Sequence, residues 1–259
     1  MRMLNRVVTT VAAAVIFLGA TGASAQDYAR EQRWADEIVP GLVVGDAVPI
    51  PASSGREFLG LYTATKSTGT AVVLVHGLGV HPDFGLIGAL RSSLADAGYA
   101  TLAIQMPVLE KDKVAEDYYP ALFPDAVDRI SRAADWLKAK GYTRLVLVSH
   151  SMGSWMSNVY LDRKATTPFQ AWVCIGLTGG FQTRVLGINW PALSVNVPVL
   201  DIYGEKDFES TLGAAPRRAR NIADIAGSRQ VQVAGADHYF VGKEKELSQA
   251  IESFLRTLP

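Results

Sequence analysis

Nine consecutive residues, Leu145-Val146-Leu147-Val148-Ser149-His150-Ser151-Met152-Gly153, constrain this chain more than any other stretch. Leu145 to Val148 are apolar and uncharged, the pattern of a strand buried on both faces. A helical pattern follows at once, with Met152, Trp155, Met156, Val159 and Tyr160 recurring at i, i+3, i+4, i+7 and i+8. So abrupt a turn from strand to helix tolerates only small residues two places before and after the turning residue. Around Ser151 those places hold Ser149 and Gly153. A backbone held at such a turn carries roughly 1–3 kcal/mol of strain, which chains keep mainly at working sites. The plain alternative is a strand ending in a serine-rich helix cap, with Ser149 or Ser151 bonding backbone amides.

The remaining strands follow the same plan. Uncharged or alternating runs at Glu57–Thr65, Ala71–Val75, Tyr99–Met106, Ala171–Leu177, Pro198–Tyr203 and Arg229–Val233 read as strands. Between them lie helical patterns: Leu86, Ile87, Leu90 and Leu94 before Gly98, and Val127, Ile130, Ala134 and Leu137 before Gly141. Two more helices are expected over 211–226 and 243–258. Residues 26–40 read as a short helical lead-in, 40–51 as an edge strand or loop, 109–119 as a surface excursion and 181–196 as irregular. Strands alternating with helices of this length imply right-handed β-α-β units, and so a mainly parallel sheet with helices on both faces.

The first twenty-five residues stand apart. Two arginines and no acid precede an apolar run from Val7 to Ala20, and Ala23-Ser24-Ala25 is a small-x-small cleavage signal. Those parts in that order describe a secretory signal peptide over 1–25. The rest, 26–259, is the length of one sizeable α/β domain, without stable membrane insertion once the signal is removed. The expected address is periplasmic or secreted. Formal net charge is zero, which argues against a nucleic-acid partner. Cys174 is the single cysteine, so no intrachain disulfide can form, and in a core strand it serves as a small hydrophobe.

Ligands of an open parallel sheet bind beyond the carboxyl ends of its strands. His76-Gly77-Leu78-Gly79 follows one strand, Ser151 another, Asp207 a third and His238 the last. A serine hydroxyl needs a base to remove its proton as it attacks, and an imidazole suits that task near neutrality. An acid beside the imidazole holds its tautomer and stabilises the imidazolium. Asp207 is assigned that role over the competing acids Asp201 and Glu205; Asp201 lies inside its strand and reads as buried or paired. The tetrahedral intermediate needs backbone N–H donors, expected from Met152 and Leu78. His76 reads as a brace of its loop, and Arg217, Arg218 and Arg220 as the solvated face of a helix.

Across these motifs the chain resembles the α/β-hydrolase superfamily. Within it the chain is similar to a bacterial group of unknown function with a His-Gly-x-Gly-x-His-Pro-Asp loop, here His76 to Asp83. The resemblance implies an α/β-hydrolase fold. Only residues 179–196 are available for a cap, so no large cap domain is expected. The resemblance carries no substrate with it; together with the site residues the reading is a secreted serine hydrolase, a carboxylesterase working through an acyl-enzyme on a small or medium acyl ester. No cofactor and no metal are implied. Val80, Phe84, Phe181 and Tyr239 are candidate substrate contacts in an open apolar cleft, with Tyr118, Tyr119 and Phe123 of the excursion as a second wall. The rival reading is a catalytically idle fold serving as a binding or envelope-assembly module, favoured by Ser149 where the elbow pattern has glycine.

The signal peptide makes a direct prediction: mass spectrometry of protein from the cell envelope finds a mature chain that starts near Gln26. Intact Met1 in that fraction refutes it.

Overall fold

The computed structural model describes residues 26–65, 69–109, 119–162, 166–178, 180–183, 188–191, 193 and 195–258. The stretch expected to be a signal peptide, 1–25, and Tyr118 lie outside them. A helix α1 (Tyr28–Ile38) leads into the hairpin of β1 (Asp46–Pro51) and β2 (Glu57–Thr63). Then come β3 (Thr70–Val75), α2 (Gly85–Asp96), β4 (Ala100–Ile104), α3 (Phe123–Ala139), β5 (Arg144–His150) and α4 (Met152–Asp162). The chain continues through β6 (Phe169–Ile175), β7 (Gly180–Thr183), β8 (Ile188–Pro191), β9 (Val199–Lys206), α5 (Glu209–Ile222), β10 (Arg229–Asp237) and α6 (Glu244–Leu255).

Eight strands form one sheet in the order β1-β2-β4-β3-β5-β6-β9-β10. Only the first two pairings, β1–β2 and β2–β4, are antiparallel. From β4 to β10 every pairing is parallel. Strands buried on both faces need no polar alternation, and successive residues accordingly supply opposite cores. Val73, Leu145, Leu147 and Trp172 join Phe123, Ile130, Leu137, Trp155 and Tyr160 on the face covered by α3 and α4. Val72, Leu74, Val146, Val148 and Val173 join Leu86, Leu90, Leu247, Ile251 and Phe254 under α2 and α6. Cys174 is fully buried in β6, and burial pushes its thiol pKa well up.

The structure corrects three expectations. Residues 181–196 are not wholly irregular, because β7 and β8 pair as a two-stranded antiparallel hairpin. Tyr119 and Phe123 are buried in the core and wall no cleft. Arg218 is not on a solvated face. The inward stripe of α5 is Thr211, Ala215, Arg218 and Ile222 at helical spacing, which carries Arg218 to zero exposure against Asp201. Its Nε donates to both Asp201 oxygens at 3.1 and 2.9 Å, and Gln230 donates to Asp201 Oδ2 at 2.7 Å. A helix period marks which face a residue occupies but not that a charged residue there has found a partner.

Two other buried polar groups tie the sheet ends together. His76 accepts from the Met106 N–H at 2.8 Å through Nε2, so its proton is on Nδ1, which donates to the Gly77 carbonyl at 2.8 Å. The end of β3 is thereby latched to the chain leaving β4. Arg129 of α3 pairs with Glu31 of α1 at 2.9 Å and donates to the Gln105 carbonyl at 2.8 Å. The helix at the start of the described chain is an anchored part of the fold.

Both kinds of buried group can be tested by unfolding in urea. Arg218→Met leaves the Asp201 carboxylate buried without its cation and should cost about 3–5 kcal/mol, with much of it recovered in Asp201→Leu/Arg218→Met. Burial pushes the His76 pKa down to about 3, against about 6.5 unfolded. The unfolded chain therefore takes up this proton first. The contribution of His76 is full above about pH 6.5 and is lost toward pH 3 at about 1.4 kcal/mol per pH unit. His76→Asn should make the acid loss of stability shallower by that amount. An unchanged slope excludes His76 as its source.

Candidate active site

Ser151 is the first residue beyond β5 and has a φ of 55°, in the left-handed region that side chains other than glycine rarely adopt. Its amide donates to the Ile175 carbonyl at 2.9 Å, and its carbonyl accepts from the Ser154 amide, also at 2.9 Å, in the first turn of α4. Strand and helix thus hold the residue from both sides. The turn brings α4 hard against the end of β3: a Cβ on Gly153 would stand 2.3 Å from the His76 carbonyl oxygen. Only glycine allows that approach.

The three residues assigned to catalysis meet here. The Ser151 hydroxyl lies 3.0 Å from His238 Nε2, and His238 Nδ1 lies 2.7 Å from Asp207 Oδ1. The carboxylate claims the proton on Nδ1, which leaves Nε2 to accept from the serine. Asp207 and His238 are buried, whereas Ser151 keeps partial exposure. Burial alone would raise the Asp207 pKa. The His238 hydrogen bond and charge, the Phe208 amide and Thr211 outweigh burial and hold it below the ordinary carboxylate value. Asp207 is thus kept as an anion facing the imidazole.

Among the described residues the amides of Met152 and Leu78 donate to no backbone carbonyl, as expected at a helix N-terminus and in an open loop. Their two segments are adjacent, since a Cβ on Gly77 would lie 3.2 Å from the Ser151 Cβ. The loop itself is fixed from two directions. Arg30 of α1 donates to the carbonyls of Gly79 and Leu109, each at 3.1 Å. Asp83 pairs with buried Arg91 of α2 at 2.5 Å.

Ser149 has a clear physical reason. Its Oγ accepts from the indole N–H of Trp172 at 2.7 Å, and both side chains are fully buried. A glycine there would leave that N–H with no such acceptor, and a buried indole needs one. The departure from glycine belongs to the packing of β5 against β6 and leaves the Ser151 turn intact.

The proposed substrate contacts divide. Tyr239 is 56% exposed, with its ring 5.2 Å from that of His238. Val80 is half-buried in the loop. Phe84 is exposed but set edge-on to His81, which itself packs against Trp34 of α1, and among the described residues it makes no ring contact with His238. Phe181 belongs to β7, and its side chain is outside the described residues.

Four further residues surround the site. Phe208 stacks on the His238 ring at 4.1 Å and 22°. His150 donates through Nε2 to the His238 carbonyl at 2.9 Å, and burial, then the His238 charge, lower its pKa to about 4. Gly176 makes room for the imidazole, since a Cβ there would come within 2.9 Å of His238 Cε1. Ser154 donates to the Ser149 carbonyl at 2.8 Å. The only signal for Phe208 and Gly176 was their position, one residue past Asp207 and one past the end of β6.

Residues 31–126 match the model of a family described as a protein of unknown function, DUF3530. That stretch holds the Leu78 loop and ends before Ser151. A comparison with curated proteins finds no match. Among solved structures, a lidless α/β serine hydrolase from Xanthomonas campestris is 16% identical with a TM-score of 0.64, over 84% of this chain and 96% of that one. An esterase from Pyrococcus furiosus is 14% identical with a TM-score of 0.63, over 83% of this chain and 96% of that one. Est1E from Butyrivibrio proteoclasticus is 14% identical with a TM-score of 0.61, over 81% of this chain and 97% of that one. At such identities the likeness concerns architecture alone. The chain has the α/β-hydrolase fold, with a hairpin rather than a large cap between β6 and β9, and part of it matches a family whose activity is uncharacterised.

Proposed function

We propose that the protein is a serine hydrolase of carboxylic esters, working through an acyl-enzyme outside the cytoplasm. The observation that carries the reading is the unbroken chain of hydrogen bonds from Ser151 through His238 to Asp207. Ser151 Oγ attacks the ester carbonyl while His238 Nε2 takes its proton. The imidazolium is stabilised by the Asp207 anion. The oxyanion is received by the amides of Met152 and Leu78, and the N-terminus of α4 adds its positive dipole end. His238 then returns the proton to the departing alcohol, and the same groups activate a water for deacylation.

Two further points support the reading. The strained φ of Ser151 is the kind of feature retained at working sites. The solved structures of similar architecture include proteins described as a serine hydrolase and as an esterase. The extracytoplasmic address rests on the signal-peptide pattern of residues 1–25.

A fluorophosphonate tests the proposal because it needs an activated hydroxyl and an oxyanion site together. It should label Ser151 and spare Ser149, Ser154 and Ser157, which are all fully buried. Ser151→Ala should abolish labelling and lower ester hydrolysis by about 10⁴–10⁶. Its stability should stay within about 1–2 kcal/mol of the parent, since one hydroxyl is lost and turn strain is relieved. A folded protein that resists the probe and cleaves no ester, amide or thioester overturns the reading in favour of an idle fold.

A further inference from the structure

We propose that Phe208 and Tyr239 form an aromatic subsite for the leaving alcohol and that the protein prefers esters of apolar, ring-bearing alcohols. This rests on the serine-hydrolase reading above and adds which half of the ester is recognised.

Large apolar side chains left in water are uncommon here: among the described residues only six are exposed, and Phe208, Tyr239 and Val241 are three of them. Phe208 is 48% exposed, Tyr239 56% and Val241 73%. Phe208 and Tyr239 directly follow Asp207 and His238 in the chain, which brings these two to the same side of the site. The two aromatic rings meet edge to face, at 6.2 Å and 84°. Each also touches the His238 ring, Phe208 stacked at 4.1 Å and Tyr239 edge-on at 5.2 Å. Clustered exposed apolar surface of this kind marks a place where something binds.

The backbone explains why Phe208 is not folded away. It is the residue before the first turn of α5, with φ −56° and ψ 145°, and its side chain makes no capping bond. That extended geometry sends the ring across to the imidazole instead of under the helix. Tyr239 is fixed by its own amide, which donates to Asp237 Oδ1 at 3.0 Å.

The chemistry says which part of a substrate arrives there. His238 Nε2 must deliver its proton to the alcohol oxygen, so that oxygen comes within about 2.6–3.2 Å of Nε2 in the step that releases it. The first carbons of the alcohol then lie within van der Waals reach of the groups that flank the imidazole. With His150 buried on the inner side, the exposed groups there are Phe208 and Tyr239, two aromatic rings that carry no charge. A ring in the alcohol can stack there. A heavily hydrated alcohol would shed water against apolar surface and gain no hydrogen bond in return.

The test holds the acyl group constant and varies the alcohol. Benzyl acetate and 2-methoxyethyl acetate release alcohols of similar acidity, so their intrinsic reactivity is close. The full mature protein should favour benzyl acetate in kcat/KM by about tenfold, and Phe208→Ser or Tyr239→Ser should each reduce that ratio about threefold or more. The double variant should bring it close to one. Were Phe208 only a support for the imidazole, its loss would slow both esters alike and leave the ratio standing, which overturns the proposal. A parent ratio near one, or a preference that survives the double variant, overturns it too. In either case fluorophosphonate labelling of Ser151 persists, so the hydrolase reading stands. If Ser151 resists the probe and neither ester is cleaved, both readings fall together.

Discussion

A serine held at a φ of 55° is the constraint on which the rest of the site depends. Left alone, an L-residue in that conformation would relax, and roughly 1–3 kcal/mol is at stake. Here the residue is over-determined. Its amide is held by the carbonyl of Ile175 in the next strand, and its carbonyl is taken by the first turn of α4. Relaxing Ser151 would mean shifting a helix that packs through Trp155, Met156 and Tyr160 into the core. The sheet order also matters, because β5 lies between β3 and β6. That placement sets the loop after β3 on one side of the serine and the room beside Gly176, into which His238 fits, on the other.

All four histidines of the chain lie at or past the ends of strands or in the loop after β3, yet their partners give them different work. His76 is sealed between a carbonyl and an amide and braces the loop. His150 holds the carbonyl of His238 and so fixes the backbone that presents the imidazole. Burial lowers the pKa of both, to about 3 and about 4, which keeps them neutral beside the one histidine that faces a carboxylate. His81 packs between aromatic rings. Neutral neighbours place no further positive charge beside the Asp207–His238 pair.

The N-terminal helix enters the same arrangement from outside the sheet. Through Arg30 it grips the carbonyls of Gly79 and Leu109, and through Glu31 it reaches Arg129 in the core. In the proposed mechanism the loop presents the Leu78 amide to the oxyanion, so that amide is not what holds the loop in place. Its carbonyls and flanking side chains do so, with α1 and the Asp83–Arg91 pair as the supports.

Periodicity and composition sufficed for the framework. Uninterrupted apolar strands at Ala71–Val75 and Leu145–Val148 state that both faces are covered, and i, i+3, i+4 spacing states which helices cover them. The chain order of Ser151, Asp207 and His238, each past a strand, made the hydrogen-bonded triple legible before any coordinate. What the sequence could not determine depends on contacts between distant positions. Arg218 and Arg220 look alike as letters, and only the packing of α5 on β9 joins Arg218 to Asp201. Ser149 looked like a flaw in the elbow until Trp172, twenty-three residues away, proved to be its donor. Phe208 carries no periodic signal, because a residue before a helix belongs to no repeating face, and only the fold lays its ring on His238. Local pattern is set by the backbone's own period and so can be read along the chain. The pairing of a charge, a hydroxyl or a ring across the chain exists only once the tertiary structure has closed.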